Sequence, residues 1–215
     1  MTLEKIAKQI SSCTKCLLNE SRTNTVPGEG NPDADLMFIG EGPGRTEDEQ
    51  ARPFVGPAGK LLEELLQTID LKRDDVYIGN VIKCRPPGNR DPLPDEVNAC
   101  WPYLREQIKA IKPKLIILLG RHAMERFIPN KKISQVRGKP LRREIQGIGK
   151  LIFYPIFHPA AALHQPRFEE PLKIDFRRIP RVVEKVDELL VKEAKGEETN
   201  PFEEKPEGPE QKKLL

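Results

Sequence analysis

Short continuous apolar runs and longer stretches of helical spacing take turns along this chain. The runs are "DLMFIGEGPG", apolar over 35–39 and then broken by glycine and proline, "DVYIGN", ending at Asn80, "KLIILLG", the most hydrophobic, and "LIFYPIF", ending at His158. Each is the length of a buried strand and is closed by a turn-forming residue. Between them, "GPAGKLLEELLQTI" carries leucines at helical spacing. A further helix is predicted after Pro94, with Asp95 and Glu96 in its first turn, running to about Ile111. "RHAMERF" reads as a short helix, residues 2–10 as an amphipathic one, and 166–193 as largely helical with a candidate break at Pro180. "KCRPPGNRDPLP" is too rich in proline and glycine to be anything but loop. Strands alternating with helices predict an α/β fold, a parallel sheet with helices on both faces.

Ligands of such sheets sit beyond the carboxyl ends of the strands. Glu41, Asn80 and His158 each fall just past a strand end. Dozens of residues apart in sequence, they are predicted to meet on one rim. His158 lies in "YPIFHPAAALHQ" (154–165), which holds two of the three histidines. Taken alone it reads as a packed residue at a strand end; with Glu41 and Asn80 it reads as part of a site. His122 and His164 read as structural.

The loop "GEGPGRTEDEQARPFVGPAG" has glycines that let a ligand approach backbone. It has neither the spacing of a dinucleotide-binding turn nor the Lys-Ser/Thr ending of a P-loop. Phe54 within it is either a loop anchor or a stacking surface for a planar ligand.

Charge and cysteine usage narrow the setting. Lys and Arg number 36 against 33 Asp and Glu, and the 21 prolines with 32% charged residues lean toward a heat-tolerant protein. From Lys195 to Leu215 four lysines face six glutamates, net −2, which leaves 32 basic against 27 acidic residues, net +5, in 1–194. A basic body permits nucleic-acid binding, and ordinary solvated charge explains it equally well. No stretch reaches the roughly 18 apolar residues of a membrane span, and the charged N-terminus is not a signal peptide. A cytoplasmic protein is expected, with one domain over 1–194 and a disordered charged tail over 195–215. Structural disulfides are not expected there. Cys13 and Cys16 form a C-x2-C pair in polar sequence, with Cys84 and Cys100 separated by fifteen residues. Four thiolates suit tetrahedral zinc, the commoner centre, or an iron–sulfur cluster; the second pair lacks zinc-ribbon spacing.

"GEGPGRTEDEQARPFVGPAGKLL", "NVIKCRPPGNRDP" and "HPAA", with all four cysteines, together resemble the family 4 uracil-DNA glycosylases, iron–sulfur enzymes of thermophilic bacteria and archaea. The resemblance spans roughly residues 1–190 in order and spacing. It implies a three-layer αβα fold with a central, mostly parallel four-stranded sheet. It implies a [4Fe-4S] cluster on Cys13, Cys16, Cys84 and Cys100, structural in role. It implies hydrolysis of the N-glycosidic bond of uracil in single- and double-stranded DNA, by a monomer, leaving an abasic site. Phe54 would stack on the flipped base, Asn80 would read its edge, and backbone of Gly40, Glu41 and Gly42 would line the pocket. His158 would donate to uracil O2. The better-known relatives carry G-Q-D-P-Y at the first motif, with an aspartate that positions water. Here Gly42 stands in the aspartate's place, and Glu41 is the neighbouring carboxylate.

Glu47 would crowd C5 against thymine or be a solvated helix-start carboxylate, and Asn89 would order the pocket loop or be a turn residue. Arg85, Arg90 and Arg167 would contact phosphates, and Pro159 and Ala160 would sit in a loop pressing the minor groove. The alternatives are a related glycosylase with another deaminated-base preference and a non-catalytic iron–sulfur DNA-binding protein. In the terminal "QKKLL", Gln211 and Leu214 match the start of a sliding-clamp motif whose aromatic pair is missing, so a clamp contact and a solvated tail both stay open.

Overall fold

The computed structural model describes residues 1–197 and Phe202. Six strands form one sheet: β1 (Glu29–Gly30), β2 (Leu36–Gly40), β3 (Tyr77–Asn80), β4 (Leu115–Leu119), β5 (Leu141–Ile145) and β6 (Gly149–Ile156), in the order β1-β3-β2-β4-β6-β5. The four runs legible in the sequence are its parallel centre, β3-β2-β4-β6. The sheet is wider than the expected four strands because β1 and β5 add to its two edges, antiparallel. Neither carries an apolar run. β1 has two residues and β5 is "LRREI", polar and half exposed, as edge strands that resist further pairing are.

The helices are α1 (Leu3–Ser11), α2 (Leu18–Ser21), α3 (Arg45–Gln50), α4 (Pro57–Gln67), α5 (Pro94–Ile111), α6 (Gly120–Phe127), α7 (Ile133–Val136), α8 (Pro159–His164) and α9 (Glu169–Ala194). Side-chain alternation along the strands feeds two apolar layers. Phe38, Ile78, Ile117 and Tyr154 pack toward α4 and α9. Met37, Ile39, Ile116, Leu118 and Phe153 pack toward α5 and α6. Ile6 and Ile10 of α1 dock separately on Tyr103 of α5. The three-layer αβα arrangement follows.

Helix α9 runs unbroken through Pro180. That proline lies on the exposed face, where a missing backbone donor and a ring are least costly. Helix α5 starts at Pro94 itself, which fills the first helical position. Helix α3 lies inside the stretch read as loop. "KCRPPGNRDPLP" contains a single 3₁₀ turn over Pro87–Asn89. Phe202, counted with the tail in the sequence, is 7% exposed and packs into the layer with α9. Gln211 and Leu214 lie outside the described residues. Among the described residues, no helix is long and apolar enough to cross a membrane.

The register makes the rim. Gly40 pairs with Asn80 across β2 and β3, and Leu119 with Ile156 across β4 and β6. All four parallel strands end level.

Candidate active site

The level strand ends open into a cleft of about 800 Å³ that receives Glu41, Phe54, Asn80, His122 and His158. Asn80 closes β3 at 2% exposure, and its Oδ1 has no hydrogen-bond partner within the protein. A buried orphan acceptor costs about 1–3 kcal/mol, which a ligand donor would recover. Beside it Gly40 leaves room that no other residue could: a Cβ there would stand 2.5 Å from Asn80 Oδ1 and 2.6 Å from the Phe54 ring.

Phe54 holds a left-handed backbone (φ 52°), a strained state for a bulky residue. Its surroundings enforce that shape. One Glu47 carboxylate oxygen accepts the N–H of Val55 (3.0 Å) and of Gly56 (2.8 Å). Arg73 donates to the carbonyls of Phe54 (2.9 Å) and Pro53 and is itself paired with Glu29. Gly59 lets α4 pass against the Phe54 carbonyl, where a Cβ would come within 1.9 Å. The Phe54 ring ends stacked on His158, with centroids 5.6 Å apart and planes 26° apart.

His158 caps the N-terminus of α8, and its Nδ1 accepts the Ala160 N–H at 3.1 Å. Nδ1 therefore carries no proton, and the neutral ring bears its hydrogen on Nε2. Burial, then the neighbouring His122, push its pKa down to about 4, so the ring is neutral at pH 7. The site thus offers an uncharged N–H donor.

Glu41 follows β2. Burial raises its carboxyl, and His122 opposes the rise. Its Oε2 lies 3.7 Å from His122 Nε2, which is also 3.3 Å from Asp91 Oδ2 and 3.0 Å from the donating Arg121 Nε. Among the described residues, Glu41, Asp91 and His122 are the one group of three or more His, Cys, Asp or Glu whose ligand atoms all lie within 4.8 Å of one another.

The four cysteines line a separate, much smaller cavity. Cys13 follows α1, Cys16 precedes α2, Cys84 lies past β3 and Cys100 is in α5. Arg22 donates to Cys84 Sγ (3.1 Å) and to the Cys13 carbonyl (2.8 Å). Burial pushes the Cys16 and Cys84 thiols up and that of Cys100 up to about 11. A positively charged centre is what would turn such thiols into thiolates. The donor set fits a metal centre. Tetrahedral zinc, with Zn–S of about 2.3 Å, needs sulfurs about 3.8 Å apart. Four cysteines match that donor set, as they do the cysteine ligands of an iron–sulfur cluster.

Comparison with known proteins agrees with this geometry. Residues 27–178 match the family model of the uracil DNA glycosylase superfamily. A type-4 uracil-DNA glycosylase of Sulfurisphaera tokodaii is 49% identical over 185 residues, 83% of each chain. One of Archaeoglobus fulgidus is 49% identical over 83% of this chain and 92% of its own. One of Thermotoga maritima is 47% identical over 75% of this chain and 83% of its own. The chain belongs to the type-4 uracil-DNA glycosylases of this superfamily.

In this type-4 glycosylase the residues singled out in the sequence divide into two groups. Glu41, Gly42, Phe54, Asn80 and His158 share the cleft, and Glu47, Asn89, Ala160 and His164 also border it; Gly40 lies just behind it, against Asn80 and Phe54. The cationic candidates are engaged within the protein. Arg85 donates to Asn89 Oδ1 (2.7 Å), and Asn89 sits in a left-handed turn (φ 55°). Arg90 forms a two-pronged pair with the buried Glu96 (2.9 and 2.6 Å). Arg167 stacks over Phe168, 4.8 Å from its centroid. Pro159 and Ala160 open helix α8 rather than a loop, because the Nδ1 of His158 supplies the cap. His122, read as structural, faces Glu41. The strand-end rule that picked Glu41, Asn80 and His158 also points at the residues after β4, and applying it there would have found His122. Arg73 and Lys83 carry no sequence signal, since only the folded chain shows what they hold.

Proposed function

We propose that this protein hydrolyses the N-glycosidic bond of uracil in DNA, leaving an abasic site in base excision repair. The observation that carries the reading is the unpartnered Asn80 Oδ1 in a cleft that also holds a neutral histidine donor and a strained aromatic ring. The target nucleotide must leave the duplex to reach such a cleft. Phe54 then stacks on the ring. Asn80 Oδ1 accepts from uracil N3–H, and its amide nitrogen donates to O4. Cytosine presents the reverse pattern at both atoms and leaves the buried amide mispaired.

As the C1′–N1 bond breaks, charge moves onto uracil O2. A hydrogen bond from His158 Nε2–H to O2 strengthens as that charge grows, and this selective stabilisation lowers the barrier. A water then attacks the sugar cation. Gly42 cannot be traded for the usual aspartate without repacking, since a Cβ there stands 2.6 Å from the Ile82 side chain. Glu41, in the cleft and beside His122, is the carboxylate available to orient the water. A Glu41→Gln enzyme that kept near-normal single-turnover rates would remove Glu41 from the mechanism.

Cys13, Cys16, Cys84 and Cys100 would hold a [4Fe-4S] cluster that supplies structural cross-linking rather than chemistry. It would tie the N-terminal segment to the loop after β3 and to α5. We place the enzyme in the cytoplasm, acting as a monomer on DNA. A clamp contact through Gln211 and Leu214 would show as binding to the full chain that is lost when the chain stops at Ala194.

Single- and double-stranded uracil-containing oligonucleotides, followed by abasic-site cleavage, test the activity, and iron and sulfide analysis tests the cluster. Strand breaks at uracil alone are expected. No product from a preparation with brown iron–sulfur absorption would overturn the reading, and breaks at other deaminated bases would redirect it.

A further inference from the structure

One fully buried cation lies between the cysteine cavity and the uracil pocket. Lys83 is 1% exposed. Its Nζ donates to the Asn80 carbonyl at 2.8 Å, closing a four-residue turn at the end of β3. Nζ lies over Gly79, 3.7 Å from where a Cβ would stand. Its backbone is fixed as well: its carbonyl accepts the Val26 N–H at 2.8 Å, and its own N–H donates to Cys100. The side chain lines the cysteine cavity. Burial disfavours its charge, and Cys100 and Cys84 favour it.

This placement is costly without a purpose. A buried ammonium needs a counter-charge and hydrogen-bond acceptors. One acceptor is the carbonyl of the residue whose side chain reads the base. The counter-charge on offer comes from cysteine sulfurs, which become thiolates when they hold a metal centre.

We propose that Lys83 is a positioning residue that couples the cysteine centre to uracil recognition by pinning the Asn80 main chain. The inference rests on the reading above, of a uracil glycosylase with an iron–sulfur centre. With the centre in place, Lys83 is held between the thiolates and the strand end. The Asn80 amide is thereby presented rigidly, its Oδ1 fixed against Gly40 and Phe54. Outer residues that orient a binding group in this way typically change affinity or activity by about 10–100-fold.

The test uses the full-length holoprotein and Lys83→Met, which keeps volume and removes the charge and the donor. Two probes are used: an oligonucleotide carrying 2′-fluoro-2′-deoxyuridine, which resists cleavage, and the same oligonucleotide carrying thymidine. The variant is expected to retain its iron and its affinity for the thymidine oligonucleotide, to lose about tenfold or more in affinity for the uridine one, and to show a lower cluster midpoint potential. Unchanged uracil discrimination, or an unchanged potential, would overturn the proposal. Should the variant not accumulate, the wild type answers by reciprocity. Its potential should differ between the two bound oligonucleotides, and equal potentials would equally overturn the coupling. A wild type that does not cleave uracil would defeat the enzymatic reading. A wild type that cleaves, beside a Lys83→Met that discriminates as well, would defeat only this inference.

Discussion

The Nδ1 of His158 accepts the main-chain N–H of Ala160 at 3.1 Å, and this contact decides which ring nitrogen can meet a substrate. It leaves Nε2 as the donor, on a ring that burial keeps neutral, with a pKa near 4. In the proposed reaction, the charge that develops on uracil O2 would be met by a neutral hydrogen bond, with no imidazolium needed.

His158→Ala should lower the single-turnover rate about 10²–10³-fold, the usual cost of losing one donor to a developing oxyanion. In the native enzyme the rate should show no falling limb between pH 6 and 8 from loss of a histidine proton. A fall with an apparent pKa of 6–7 as pH rises would show that the charged ring is the active form. Stability has a matching sign. The unfolded chain takes up this proton near the ordinary 6.5 and the folded chain only near 4, so His158 should weaken the fold progressively as pH drops from about 6.5 to 4.

Gly40→Ala should empty the pocket without unfolding the protein. The added methyl would stand within 2.6 Å of both Asn80 Oδ1 and the Phe54 ring, so both must move. An ångström-scale displacement of reading groups costs about hundredfold in kcat/KM, and overpacking costs about 1–3 kcal/mol in stability. Thermal melting beside kinetics separates the two effects.

Glu47 accepts two loop N–H groups on one oxygen, which points to a role in holding Phe54 in its strained backbone. Glu47→Gln keeps a carbonyl acceptor and should stay near native activity. Glu47→Ala leaves both donors unpaired, at about 1–3 kcal/mol, and should raise KM. Thymine excision by Glu47→Ala would instead show that the carboxylate guards against the C5 methyl.

Arg90 and Glu96 pair through two hydrogen bonds at the start of α5, where Glu96 is 2% exposed on its side chain and Arg90 38%. Arg90 holds the Glu96 carboxyl below its ordinary value. The stabilisation is present above about pH 4.5 and fades as pH falls through the lowered value. Arg90→Ala should lower the melting temperature at pH 7 by roughly 2–4 °C and leave the salt dependence of DNA binding nearly unchanged. A salt slope reduced by about one would identify Arg90 as a phosphate contact after all.

The four central strands and the long helices were legible because burial on both faces writes a continuous apolar run, and burial on one face writes a helical stripe. Edge strands β1 and β5 write neither, since water replaces half of their neighbours. Helix α8 was hidden by its cap: "HPAAALH" reads as a break at proline until His158 is seen to accept the Ala160 N–H. In α9, Pro180 suggested an end that the exposed helix face does not require.

The site divides along the same line. Asn80, His158 and Glu41 could be named from strand ends, because chain connectivity alone places them on one rim, and the four cysteines could be named from their type and spacing. The neutral state of His158, the left-handed Phe54, the orphaned Asn80 oxygen and the bridge through Lys83 emerge only on folding. Each depends on which groups from distant segments exclude water from one another, and desolvation is a property of the packed interior, which no local stretch of chain encodes.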